Sequence, residues 1–189
     1  MKTLIIVDVQ NDFIEGGSLA VTGGQEVAQK LTDLINQDIY DVIYTTQDWH
    51  INPGSHWADE PDYQDSWPVH CEAGTNGAEI HQNLKTALDL GVSPVFGIQK
   101  GQYKAAYSGF EGTYTGDPML GLADMLRNQG VTEVDVVGLA TDHCVRATVL
   151  DALKAGFAVN VLTDYIAGVG DDTSAAALTE MEQSGAVLV

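Results

Sequence analysis

Asp48, His50, His56 and His70 gather a carboxylate and three of the chain's five histidines into one non-helical stretch. Such an N/O donor set is hard to borderline in character and suits a divalent ion, with zinc, iron(II) and manganese all acceptable. Spacing within a loop is less specific than paired CxxC knuckles, so a hydrogen-bonded surface loop is the competing reading. Cys144 follows an apolar run and opens a helical pattern, where free backbone N–H groups and the positive end of the helix dipole would stabilise a thiolate. A small buried hydrophobe capping the helix is the alternative. Asp8 and Lys100 each stand at the end of another apolar run. A carboxylate there can relay the thiol proton to a leaving amine, and an ammonium favours the charged nucleophile. Taken alone, Asp8 could cap the following turn and Lys100 could be a solvated charge.

Elements of two kinds must bring these residues together. Strands are predicted at Leu4 to Val7, Val42 to Tyr44, Val95 to Ile98, Val134 to Val137, Val159 to Leu162 and Val187 to Val189. Helical faces are predicted at Val27, Leu31, Leu34 and Ile35, then near Leu120 to Asn128, Val145 to Ala155 and Thr173 to Ser184. Short strands this apolar are buried on both faces, which right-handed crossovers achieve by placing helices above and below a parallel sheet. The expected fold class is α/β, a three-layer sandwich with a six-stranded parallel sheet. Gly130, Gly156 and Gly185 each separate a helical pattern from the next strand, where a left-handed cap is wanted. The stretch from Asp48 to Gly77 is long, polar and rich in Pro, Trp and His, and loops of that length inside a domain usually serve function. Ligands of open parallel sheets bind outside the carboxyl ends of the strands, so Asp8, Asp48, Lys100 and Cys144 should share one rim. His81, read as part of a helix outside this loop, is given no role.

The length of 189 residues, 44% of them hydrophobic, suits a single domain over 1–189. Asp and Glu number 27 against 8 Lys and Arg, and the net charge of −19 repels phosphate backbones and anionic lipid surfaces. Neither nucleic acid nor a membrane is an expected partner; the charge reads as a solvated, self-repelling surface and says nothing about substrate. The start is too short for a signal peptide and no apolar run reaches the roughly 20 residues of a membrane span, so the cytoplasm is the expected location. Two cysteines, Cys71 and Cys144, make no disulfide framework. A homo-oligomer is compatible with all of this, and the sequence does not decide it.

Six blocks resemble, in order, the nicotinamidase branch of the isochorismatase-like hydrolases. They are Asp8 to Phe13; Asp48-Trp49-His50 with Pro53 to His56; Trp67 to Cys71; Lys100-Gly101; Tyr107 to Phe110; and Gly138 to Val145. The resemblance spans nearly the whole chain. It implies a catalytic set of Asp8, Lys100 and Cys144, and metal ligands Asp48, His50, His56 and His70. It also implies a cis peptide before Ala140, oxyanion donors in the backbone N–H groups of Ala140 and Cys144, and ring contacts from Phe13, Trp67 and Tyr107. Without it, each of those aromatics would read as ordinary packing. Val69 departs from the family pattern, standing where a second proline often follows Pro68.

The activity so implied is hydrolysis of nicotinamide to nicotinate and ammonia through a Cys144 thioester, with pyrazinamide as a second substrate and a role in NAD salvage. One divalent metal, zinc by preference, would bind the ring nitrogen. The rival reading is a sister amidohydrolase acting on a carbamoyl or ureido substrate such as N-carbamoylsarcosine. The complete ligand set argues against it. A metal-binding protein without turnover is the reading from a different class, since fold alone never proves activity.

Overall fold

Strand β1 (Thr3–Val7) is apolar at every position after its first because both of its faces are covered. Leu4 and Ile6 enter one core beneath α1 (Gly24–Ile35) and α2 (Gln82–Leu90). Ile5 and Val7 enter a second core with α3 (Leu122–Asn128), α4 (Arg146–Lys154) and α5 (Asp171–Gln183). In this computed structural model, which describes residues 1–189, the chain is therefore a three-layer α/β sandwich.

The remaining strands are β2 (Val42–Asp48), β3 (Val95–Lys100), β4 (Thr113–Tyr114), β5 (Asp117–Gly121), β6 (Glu133–Leu139), β7 (Ala158–Ala167) and β8 (Val187–Leu188). They form one sheet of order β5-β4-β3-β2-β1-β6-β7-β8. The six strands expected from the sequence are all present and mutually parallel. The count of six is corrected to eight, because β4 and β5 add an antiparallel hairpin beside β3. That hairpin lacks the β-branched apolar run of a doubly covered strand, so periodicity does not reveal it.

Strand order reverses between β1 and β6, and the crevice at that switch point opens at the strand ends that carry the chemical residues. The helices hold this arrangement by their apolar faces: Val27, Ala28, Leu31, Leu34 and Ile35 of α1 are all buried. Truncating a fully buried leucine such as Leu31 to Ala should cost about 2–5 kcal/mol. Gly130, Gly156 and Gly185 have φ of 71°, 94° and 109°, the left-handed values that end α3, α4 and α5.

Two expectations about helices change. His81 sits one residue before α2 and is not part of it. Cys144 does not open an α-helix; it lies within a π-helical turn, Thr141–Val145, that precedes α4. The extra residue of such a turn is invisible to hydrophobic periodicity, and π-turns recur at functional sites.

Candidate active site

β1 ends at Val7, and Asp8 leaves it with φ of 49°, a left-handed conformation that Asp tolerates better than most residues. The turn points a fully buried carboxylate across the switch point. Its Oδ1 accepts a hydrogen bond from the Thr46 hydroxyl at 2.6 Å, and its Oδ2 lies 2.9 Å from Lys100 Nζ. Asp48 and Lys100 are register partners at the ends of β2 and β3, so pairing alone sets them side by side. Lys100 Nζ donates to Asp48 Oδ1 at 2.5 Å and to the Ala106 carbonyl at 3.1 Å, and lies 3.6 Å from Cys144 Sγ. Asp8, Asp48 and Cys144 thus surround one buried ammonium, with their ligating atoms within 4.8 Å of one another.

The charges in this cluster are interdependent. Burial alone would discharge Lys100, but Asp48 and Asp8 outweigh it and hold the ammonium well above its ordinary pKa. Burial raises the Asp8 carboxyl despite the opposing pull of Lys100, with the Asp48 charge adding to the rise. Cys144 behaves unlike the thiolate anticipated from its helix position. Burial pushes its thiol well up; Lys100 opposes this, and the two carboxylates reinforce it. Desolvation at Cys144 thus exceeds what a single ammonium returns, and the balance runs toward the thiol form.

Asp48 also reaches the histidines. Its Oδ2 lies 3.7 Å from His50 Nε2 and 3.9 Å from His70 Nε2. The rings of His50, His56 and His70 cluster with centroids 4.9 to 5.3 Å apart, and each offers a nitrogen within 4.8 Å of the others. His50 Nδ1 lies 2.6 Å from the Gly101 carbonyl and His70 Nδ1 lies 2.8 Å from the Pro68 carbonyl. A carbonyl only accepts, so each Nδ1 donates, and each Nε2 is the ring nitrogen on the Asp48 side. Burial, then the neighbouring His70 and His50, lowers His56 to about 4, and burial likewise lowers His70. Three imidazoles, one carboxylate oxygen and a buried, unpartnered His50 Nε2 fit a divalent ion. Gly101, with φ of 77°, is required here: a Cβ on it would lie 2.6 Å from the His50 ring.

A pocket of about 510 Å³, counting its mouth, joins the two clusters, with Cys144 and Asp48 on one side and His56 and His70 on another. Phe13, Trp67 and Tyr107 all line it. Trp67 Nε1 donates to the Tyr107 hydroxyl at 3.1 Å, and the Phe13 ring sits 5.7 Å from that of His70. Its apolar walls and convergent polar groups suit one small aromatic ligand. The Leu139–Ala140 peptide is cis, Ala140 is among the residues that line the pocket, and its N–H meets no acceptor inside the protein. That free donor is what an oxyanion needs.

Several contributors were not legible as site residues. Leu19 and Val169 line the pocket from an early turn and from the β7–α5 loop, and His143, whose role the sequence left open, meets Trp67 edge-on with ring centroids 5.2 Å apart. Asp142 accepts from the Val169 and Gly170 N–H groups and from the Thr173 hydroxyl, tying that loop to the turn that holds Cys144. Gln10 lies inside the Asp8 to Phe13 block, which was the available signal for it.

Residues 2–189 match the isochorismatase domain family. A nicotinamidase/pyrazinamidase of Mycobacterium tuberculosis (strain ATCC 25618 / H37Rv) is 51% identical over 191 residues, spanning 100% of this chain and 98% of that protein. The crystal structure of a pyrazinamidase of Pyrococcus horikoshii in complex with zinc is similar at TM-score 0.80 and 38% identity, covering 100% of this chain and 98% of that one. An L. infantum protein solved in complex with nicotinate is similar at TM-score 0.82 and 33% identity, covering 100% and 92%.

Proposed function

Since the chain belongs to the isochorismatase domain family, we propose that it is a nicotinamidase, hydrolysing nicotinamide to nicotinate and ammonia and accepting pyrazinamide as well. The observation that carries this reading is the buried Lys100 ammonium, 2.9 Å from Asp8 and 3.6 Å from Cys144 Sγ, beside a small aromatic pocket walled by histidines. It is a cytoplasmic enzyme in this reading, and its product feeds NAD salvage.

In the first half-reaction Asp8 takes the Cys144 proton while the sulfur forms a bond to the carboxamide carbon. The carbonyl oxygen becomes an oxyanion, received by the N–H groups of Ala140 and Cys144. Asp8 returns its proton to the nitrogen, the C–N bond breaks, and ammonia leaves a thioester. In the second, Asp8 takes a proton from water as the hydroxyl oxygen bonds to the carbonyl carbon; the C–S bond then breaks, Asp8 returns that proton to the sulfur to restore the Cys144 thiol, and the acid leaves as nicotinate with its proton passing to solvent. A carboxyl raised by burial suits this shuttle, because proton exchange is most efficient when the base titrates nearer the working pH. Lys100 stays charged throughout and steadies both the thiolate and Asp8. Phe13, Trp67 and Tyr107 hold the ring. Asp48, His50, His56 and His70 would hold one divalent ion, zinc by preference, which when bound supplies a Lewis-acid anchor for the ring nitrogen.

The test is ammonia release from nicotinamide by the purified chain, before and after chelation and zinc restoration, with Cys144→Ala alongside. Activity abolished by both treatments and regained with zinc supports the scheme. Substantial turnover by Cys144→Ala would replace the thioester route. Ammonia from a ureido substrate but not from nicotinamide would move the assignment to a sister amidohydrolase.

A further inference from the structure

The β1–β2 ladder runs from Thr3↔Val42 to Val7↔Thr46, and there β1 stops because Asp8 turns out of the strand. Strand β2 continues for two more residues, and Asp48 keeps its partner Lys100 on the β3 side. Facing the place β1 has vacated, Asp48 would bury an unpaired backbone N–H and C=O. The Gln10 side chain fills the gap. Its Oε1 accepts from the Asp48 N–H at 2.8 Å, and its Nε2 donates to the Asp48 carbonyl at 2.8 Å and to the Ala78 carbonyl at 2.8 Å. The side chain is fully buried, and turning the amide over would set donor against donor, so one orientation is locked. A side-chain amide here stands in for a strand peptide.

We propose that Gln10 is a positioning residue: by clamping both backbone groups of Asp48, it fixes where the two carboxylate oxygens point and thereby sets the affinity for a divalent ion. This rests on the reading of Asp48, His50, His56 and His70 as the metal set. Asp48 must place Oδ1 on Lys100 and Oδ2 toward His50 and His70 at once, which leaves little freedom in its backbone. Groups that orient a metal ligand from behind typically change affinity by roughly 10–100-fold when removed.

Gln47 provides the control, since its Nε2 donates to the same Ala78 carbonyl at 2.8 Å while its side chain makes no hydrogen bond to Asp48. Zinc affinity of the full chain is measured by competition with a chromophoric chelator, and the visible absorption of the cobalt(II) form reports the geometry of the site. Gln10→Met should weaken zinc binding by roughly 10–100-fold and alter the cobalt spectrum. Gln47→Met should leave both at wild-type values. Unchanged affinity and spectrum in Gln10→Met overturn the proposal. Equal losses in both variants also overturn it, because the effect then belongs to the segment around Ala78. Should Gln10→Met fail to fold, Gln10→Glu replaces it; this variant keeps an acceptor for the Asp48 N–H but loses both donors, and unaltered zinc binding in it is equally fatal. A wild-type chain that binds no zinc removes the metal reading together with the proposal, whereas wild-type binding with an unaffected Gln10 variant removes only the proposal.

Discussion

Asp48 and Lys100 end adjacent strands as register partners, and their 2.5 Å contact uses one carboxylate oxygen while the other faces the histidine cluster. The proposed nucleophile side and the proposed metal side of the pocket therefore share a residue, and changes on either side should be felt on the other.

Lys100→Met should both destabilise the fold and abolish turnover. It removes the only ammonium between Asp8 and Asp48 and leaves two buried carboxylates facing each other. Breaking a buried pair in this way costs about 3–5 kcal/mol. Denaturant unfolding followed by tryptophan fluorescence measures it, and a loss below about 1 kcal/mol would contradict the view of Lys100 as the charge that permits both carboxylates.

Gly101→Ala should weaken metal binding although no ligand is replaced. The new Cβ would strike the His50 ring, and the left-handed backbone adds about 1–2 kcal/mol of strain for a non-glycine residue. Zinc titration of the variant should show a lower affinity beside a modest fall in melting temperature. Affinity equal to wild type would mean that His50 is free to move aside.

Tyr107→Phe keeps the ring but removes the acceptor of the Trp67 indole N–H. A buried indole left without its partner costs about 1–3 kcal/mol, so KM for nicotinamide should rise at least severalfold with kcat little changed. Steady-state ammonia release separates the two parameters; a fall in kcat with KM intact would place Tyr107 nearer the chemistry than the ring.

Asp142→Asn should lower stability in a pH-dependent way. Burial would raise this carboxyl, but the Thr173 hydroxyl, the Val169 N–H and nearby His143 outweigh it and hold it below the ordinary carboxylate range. A depressed folded pKa contributes stability that is complete above the unfolded value of about 4 and is lost as pH falls through the folded one. At pH 7 the variant should be less stable by about 1–2 kcal/mol, and the gap should close below pH 4. Melting curves across that range provide the check, and a gap independent of pH would assign the effect to packing.

Much of this molecule could be read without coordinates. The six parallel strands were legible because a strand covered on both faces must be apolar at successive positions, as β1 is from Leu4 to Val7. The three C-cap glycines were legible because few residues tolerate the left-handed conformation. Metal-capable and nucleophilic residue types stood at strand ends, where topology sends ligands. Hairpin β4–β5 and the π-turn at Cys144 were not legible, since neither leaves a periodic apolar trace.

What the sequence determined by itself was residue type, order and strand alternation, which are local properties and suffice to put Asp8, Asp48, Lys100 and Cys144 on one rim. Tertiary structure alone decided the rest. Glu15 caps α1 from outside it, accepting from the Gly23 and Gln25 N–H groups where the N-cap glycine has no side chain to offer, and Asp142 holds the two residues that lead into α5 through the Val169 and Gly170 N–H groups. The upward push on the Cys144 thiol likewise comes only from burial and from the two carboxylates that the fold sets around Lys100. Gln10 completes a sheet that its own strand has left. Each depends on distances between residues far apart in the chain, and electrostatic and hydrogen-bond energies depend on those distances, to which sequence spacing is blind.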